Sequence, residues 1–237
     1  MRKIITRTIF AFLLILTFAS CEEEVECGCV FPPNEYFYTF EAGSEGWESG
    51  FADYPVGEDN FYELSSELAP LPEPLDQNQQ AFMIAGNNHS DDLFMFITNK
   101  VTNLTPNATY RLVVEAELAS DAPENSAGIG GSPGSSVYFK AGAFSQKPEA
   151  IEQDGYWRMN LDKGNQSQGG TDMQVLGTVG TDLEDFTYTL INRDNRNSPL
   201  QVKANDQGEL WVIVGTDSGF EGKTTLYYNR ITVRLLD

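Results

Sequence analysis

Residues 109–118, TYRLVVEAEL, decide the fold class because they alternate strictly between two kinds of side chain. Side chains of successive strand residues point to opposite faces of a sheet, so one set faces a core and the other faces away from it. The predicted core set is Tyr110, Leu112, Val114, Ala116 and Leu118. The predicted outward set, with Arg111 and two glutamates, is mostly polar.

Short segments of the same kind recur along the chain between Gly, Pro, Asn and Asp, which is typical of an all-β sandwich. We predict further strands at 36–41, 60–64, 80–85, 93–101, 135–144, 156–161, 185–192, 209–215 and 224–235. In 224–235 the predicted inward set is Tyr227, Asn229, Ile231, Val233 and Leu235. Residues 65–79 are interpreted as a surface loop, 147–153 as a single helical turn, and 34–237 as one β-sandwich domain.

Composition excludes several classes of function. The 237 residues carry 35 acidic and 15 basic side chains, a net charge of −20. Binding to nucleic acid through its phosphates needs the opposite charge, so no nucleic-acid partner is expected, and a neutral ligand is favoured over an acidic polymer. The single histidine, His89, excludes an HExxH zinc site.

The first 21 residues indicate where the protein is located. Arg2, Lys3 and Arg7 precede an apolar run at 8–18, and two small residues then precede Cys21. This is the pattern of a secretory signal peptide at 1–20, whose apolar run is too short to span a bilayer. The end of this segment resembles a bacterial lipobox, which implies that Cys21 is acylated and anchors the protein to a membrane. The alternative is an ordinary secretory signal, with Cys21 as a simple thiol.

Residues 21–33 are interpreted as an acidic tether. An acidic cluster follows Cys21 and resembles an export signal for the outer face of the outer membrane; it consists of Glu22, Glu23, Glu24 and Glu26. Cell-surface exposure is therefore expected, with the periplasmic face as the alternative, and the cluster is also consistent with a solvated linker. Cys27 and Cys29 have one residue between them, and their pairing is left open because such a disulfide is strained.

Three segments resemble the galactose-binding-like class of bacterial jelly-roll domains, which includes carbohydrate-binding modules. They are TFEAGSEGW at 39–47, LTPNATYRLVVEAELA at 104–119 and TTLYYNRITVRL at 224–235. The resemblance implies a jelly-roll β-sandwich. Residues 127–143, 161–170 and 215–228 separately resemble a family of exported bacterial proteins without an assigned activity, which transfers no functional residue.

The jelly-roll resemblance also implies a structural calcium ion, the only cofactor we expect. Glu41 and Asn229 match the positions of its ligands, and Asp217 is a further candidate ligand. Carboxylate and amide oxygens suit calcium, although an asparagine supplies no charge. The alternative is that Glu41 is ion-paired and that Asn229 either faces solvent or is hydrogen-bonded in the core.

Glycan binding requires an aromatic face for the sugar ring and planar polar groups for its hydroxyls. The candidate aromatic residues are Tyr54, Tyr156 and Trp47, although Trp47 also fits a place at one end of the core. Asp162, Asn165 and Gln166 form the densest polar loop, which either recognises hydroxyls or bonds to itself. Trp157 and Trp211 are predicted to be buried, because apolar residues surround them in their strands.

These observations predict a lipid-anchored extracellular module that binds a neutral glycan without catalysis. One alternative is a structural or adhesive lipoprotein that contacts another protein. The other is a glycan hydrolase, because the sequence does not exclude a pair of catalytic carboxylates.

Overall fold

The computed structural model describes residues 34–90 and 92–237, which contain fifteen strands and no helix. In chain order the strands are β1 Glu35–Tyr38, β2 Glu48–Ala52, β3 Tyr54–Pro55, β4 Ser65–Pro70, β5 Gln80–Asn87, β6 Leu93–Val101, β7 Thr109–Ser120, β8 Val137–Phe144, β9 Ala150–Gln153, β10 Tyr156–Met159, β11 Met173–Thr178, β12 Thr189–Asp194, β13 Leu200–Lys203, β14 Leu210–Ser218 and β15 Lys223–Leu236. The predicted signal peptide at 1–20 and the tether at 21–33, with Cys21, Cys27 and Cys29, lie outside the described residues. No helix in the described part of the chain is long and apolar enough to cross a membrane.

Two antiparallel sheets form the sandwich. Sheet A has the order β12-β7-β15-β5-β4, with β1 also paired to β15 and β13 also paired to β7. Sheet B has the order β11-β8-β14-β6-β2, and a small third sheet has the order β3-β10-β9. Successive strands β5, β6, β7 and β8 alternate between the sheets, β15 lies between β7 and β5, and β14 lies between β8 and β6. This is a jelly-roll topology, so the predicted fold class is confirmed.

The core lies between sheets A and B. All five residues predicted to face inward from β7 belong to it. They pack against side chains of sheet B such as Ile97, Phe139 and Val214, which are buried. Apolar burial of this extent is the main term that stabilises a domain without helices.

The predicted inward set of the last strand is wrong in its first half. Leu226 and Tyr228 belong to the core, and Tyr227 packs on the other face of the sheet. The pairing of β15 with β7 shifts register between Tyr228 and Arg230, which leaves Asn229 as the extra residue of a β-bulge. A bulge reverses the alternation, so residues after it face inward as predicted.

Three other predictions of local structure are also corrected. Residues 60–64 form a turn, and the strand follows at 65–70, inside the predicted loop. Residues 150–153 form β9, where we expected a helical turn. The short strands β2, β3, β11 and β13 were not predicted.

Candidate functional site

The outer face of sheet B is covered in its middle by another part of the chain. The β9–β10 hairpin and the following loop pack on Phe94, Phe96 and Ile213 and form a second apolar cluster there. At Gly142 of β8 a Cβ atom would lie 1.9 Å from the carbonyl oxygen of Asp172, so the loop backbone rests directly on the sheet. The candidate functional groups lie beside this cover.

A fully buried ion pair holds the loop to sheet B. Lys140 on β8 and Asp217 on β14 both have side chains with 0 % exposure, and Lys140 Nζ lies 2.8 Å from Asp217 Oδ2. Lys140 Nζ also donates to the carbonyl oxygens of Lys163 at 2.9 Å and Gln168 at 3.0 Å. Burial lowers the pKa of Lys140, and the nearby Asp217 opposes that shift.

A second lysine extends this pair into a network. Lys163 Nζ lies 2.8 Å from Asp217 Oδ2 and 2.9 Å from Asp53 Oδ2. Burial disfavours the charged form of Lys163, but the two carboxylates outweigh burial and raise its pKa. Arg158 on β10 continues the network, because its Nη1 donates to Asp53 Oδ1 at 2.8 Å.

Asp92 is the carboxylate of this network that solvent reaches most easily. Its side chain is about one third exposed, and Arg158 Nη1 lies 3.4 Å from its Oδ2. Burial, followed by the charge of Asp53, raises the pKa of Asp92 from 3.8 to about 6. Oδ1 of Asp92 is buried and has no hydrogen-bond partner among the described residues.

The three aspartates Asp53, Asp92 and Asp217 could together be taken for a metal site. One oxygen atom of each lies within 4.8 Å of the others. However, the ammonium groups of Lys140 and Lys163 and the guanidinium of Arg158 already supply positive charge to these carboxylates. A metal ion would have to displace or crowd these groups, so the arrangement fits a salt-bridge network better.

The predicted calcium ligands do not form one group. Asp217 lies in sheet B within the ion-pair network, whereas Asn229 lies in sheet A at the bulge of β15. Glu41 and Asn229 line a shared depression of about 400 Å³. Asn229 Nδ2 donates to Glu117 Oε1 at 2.6 Å, which is the internal bonding named as the alternative. Calcium at Glu41 and Asn229 stays a prediction, without Asp217.

A depression of about 320 Å³, here called the polar depression, opens beside the network. Its polar lining residues are Asp53, Asp92, Gln153, Arg158, Asp162, Lys163 and Asn165. The side-chain amides of Gln153 and Asn165 have no hydrogen-bond partner among the described residues. They provide donors and acceptors for a ligand.

An exposed aromatic ring lies next to the polar depression. Tyr156, the first residue of β10, is 39 % exposed, and the Arg158 guanidinium carbon lies 4.9 Å from the centre of its ring. Arg158 also lines the depression together with the predicted ligand residues Asp162 and Asn165, so Tyr156 is linked to them through Arg158.

The other predicted ligand residues have structural surroundings. Trp47 is 2 % exposed and Tyr54 is 4 % exposed, so neither presents a ring face to solvent. A ligand-stacking role does not fit these two positions. Asp162 accepts hydrogen bonds from the backbone N–H groups of Gly164 and Thr171, and Gln166 donates its backbone N–H to Asp217. The loop is therefore largely self-bonded, as its composition allowed.

Trp211 is a candidate that the sequence analysis missed. It was predicted to be buried, but it is only partly buried at the start of β14, on the outer face of sheet B. Lys100 Nζ and Lys147 Nζ lie 5.7 and 5.6 Å from the centre of its ring, and each lysine is paired to a glutamate. Lys147 also lines a depression of about 260 Å³, together with residues of β2, β6 and the start of β9.

Comparisons with known proteins give no family. No protein family matches the chain, and no curated protein matches it. Solved structures do resemble it at low sequence identity. One is the family 11 carbohydrate-binding module of the cellulase Lic26A-Cel5E of Clostridium thermocellum, with 9 % identity, a TM-score of 0.41, and coverage of 86 % of this chain and 96 % of that module.

Two further structures are similar to this chain. The carbohydrate-binding module TmCBM61, solved with β-1,4-galactotriose, has 11 % identity and a TM-score of 0.37, with coverage of 83 % of this chain and 94 % of that module. The enzymatically active domain of bacteriophage CBA120 tailspike protein 4 has 11 % identity and a TM-score of 0.38. That match covers 84 % of this chain but only 20 % of the tailspike domain.

Proposed function

We propose that this protein is a lipid-anchored extracellular module that binds a neutral glycan at the polar depression. The observation that carries the proposal is the combination of free planar polar groups and an exposed aromatic ring at one place. Gln153 and Asn165 offer side-chain amides without a hydrogen-bond partner among the described residues, and Tyr156 offers an exposed ring in contact with Arg158 of the same depression. Sugars are recognised by stacking on aromatic rings together with hydrogen bonds to amides and carboxylates.

The charge balance of the depression supports a neutral ligand. Asp53, Asp92 and Asp162 are faced by Arg158 and Lys163 within the lining, so the local excess of negative charge is small. The protein as a whole carries a net charge of −20, which repels acidic polymers. A neutral sugar is not repelled by this charge.

Binding of neutral oligosaccharides to the purified protein tests this proposal. We expect a glycan array to identify a neutral ligand, and Tyr156→Ala to weaken its binding about fivefold or more, because stacked aromatic contacts contribute about 1 kcal/mol or more. Gln153→Ala should also weaken binding. Phe37→Ala is the matched control, since Phe37 is an exposed aromatic residue on the opposite sheet. No binding of any neutral glycan, or equal loss in the Phe37 variant, would contradict the proposal.

Glycan hydrolysis is the second candidate, and Asp92 is the observation that favours it. A carboxyl group with a pKa of about 6 beside another carboxylate is suited to act as a general acid. Asp53, however, is buried and held by Arg158 and Lys163, so it is poorly placed to attack a sugar. Release of new reducing ends from the bound glycan, lost in Asp92→Asn, would support hydrolysis over binding alone.

A further inference from the structure

A second cavity, of about 190 Å³, lies where β7 ends and β15 begins, and we call it the end cavity. Its apolar lining includes Val179 and Leu226, which are buried, together with Phe220 and Phe186. Phe186 is 62 % exposed, so an apolar ring at the cavity stands in water. Exposed apolar groups around a cavity indicate a ligand or partner more often than a random surface does.

One carboxylate gives the end cavity its charge. Asp121 lines it and is only partly exposed, and burial raises the pKa of its carboxyl group. Among the described residues, no lysine or arginine forms an ion pair with Asp121. Lys223 also lines the cavity, but its Nζ lies 2.8 Å from Glu63 Oε2 and is neutralised there.

The size of the end cavity limits what it can hold. A cavity of about 150 Å³ lined by apolar side chains is enough for benzene. A volume of 190 Å³ therefore accommodates one six-membered ring with a short substituent. The glycan proposed for the polar depression is larger and is held by different residues.

We propose that the end cavity binds a small organic ammonium compound whose single apolar ring packs against Phe186 and Phe220 and whose ammonium group pairs with Asp121. A cation there would lower the cost of keeping the Asp121 carboxylate charged and half-buried. The apolar ring would cover surface that now faces water. This site is independent of glycan binding, since none of these residues lines the polar depression.

Three probes of similar shape and different charge test the proposal. They are 2-phenylethylamine, the neutral 2-phenylethanol and the anionic 3-phenylpropionate. Titration of the purified protein by NMR should show saturable binding of the amine, with Kd of about 1 mM or tighter for so small a ligand. The alcohol should bind about tenfold more weakly, and the anion should not bind. No binding of the amine, or equal binding of amine and alcohol, would overturn the proposal.

Two variants and a control place the ligand in the end cavity. Asp121→Asn should weaken amine binding about tenfold and leave alcohol binding unchanged, because only the charge pairing is lost. Ala127→Trp should block both ligands, since Ala127 lines the cavity and is exposed, so that a larger side chain does not disturb the core.

Asp185→Asn is the control for general attraction of cations to an acidic protein. Asp185 is exposed and directly precedes Phe186 in the sequence, but it does not line the end cavity. It should leave amine binding unchanged. Equal loss of amine binding in the Asp185 and Asp121 variants would reject the assigned site. So would unchanged amine binding in the Ala127 variant.

Discussion

Asp217 and Lys140 form one of two lysine–carboxylate pairs on sheet B that differ in burial. Their ion pair is completely buried, whereas Lys147 and Glu48, 2.7 Å apart on the same side of sheet B, are both substantially exposed. Removing one partner of a buried pair leaves an uncompensated charge in the interior. Removing one partner of an exposed pair leaves a charge that water solvates.

We therefore expect Asp217→Ala to lower the free energy of unfolding by about 3–5 kcal/mol, because Lys140 keeps only two carbonyl acceptors for its buried ammonium group. The matched variant Glu48→Ala should change it by less than about 1 kcal/mol. Urea unfolding followed by fluorescence measures both values. Similar losses in the two variants would show that burial does not set the strength of the Asp217 pair.

Single residues were predictable from the sequence when their immediate neighbours determined their surroundings. Asp162 and Asn165 lie in a polar loop, and Tyr156 lies next to a turn, so their exposure followed from the sequence. Trp211 did not, because LWVIV at 210–214 is apolar on both faces. The β9–β10 hairpin, which is distant in the sequence, covers the outer face of β14 at Ile213 but not at Trp211. The alternation of residues within a strand does not reveal how far such a segment extends over it.

At the scale of elements, the β9–β10 hairpin is the feature that shapes the site. Asp154 and Gly155 connect its strands and have φ angles of +52° and +82°. Positive φ at both positions is the signature of a type I′ turn, for which Asp-Gly is strongly preferred. The sequence held this signal at 154–155, but the segment before it was interpreted as a helical turn.

We expect Gly155→Ala to destabilise the protein by about 1–2 kcal/mol, because an alanine at this φ is strained although space for its Cβ is available. Glycan binding should weaken as well, since Tyr156 directly follows the turn. Unfolding and binding measurements on the same variant test both effects. Asp154→Asn, which keeps a favoured turn sequence, is the control and should leave stability nearly unchanged. An equally stable Gly155 variant would contradict the role of the turn.

The longer strands were predictable and the edge strands were not. Residues 93–101 form a strand with the predicted bounds, because the continuous apolar run at 93–97, buried on both faces, has a strong signal. β4, SSELAP, lies at the edge of sheet A and is mostly exposed, so its composition resembles a loop. Pro70 is accommodated at its end, where an edge strand tolerates the missing N–H group. The bulge at Asn229 also escaped the prediction, since alternation within one strand gives no sign of an extra residue.

At the scale of the whole molecule, the proposed anchor determines where the protein acts. Replacing Cys21 by serine removes the thiol needed for acylation, so we expect Cys21→Ser to move the protein from the membrane fraction to the soluble fraction of a Gram-negative host. Cys29→Ser is the matched control and should remain with the membranes. Detergent extraction and immunoblotting of the two fractions provide the measurement. A Cys21 variant that still sediments with membranes would contradict lipid anchoring.

The pairing of β1 with β15 places both ends of the described chain at one end of the sandwich. Glu35 lies opposite Arg234, whereas Lys223 at the other end of β15 lines the end cavity. A strand of this length spans about 40 Å, so the end cavity is far from both Glu35 and the carboxyl terminus. A biosensor surface coupled through the carboxyl terminus would therefore present the end cavity outward to injected compounds. Random coupling through lysines would instead modify Lys223 at the cavity itself.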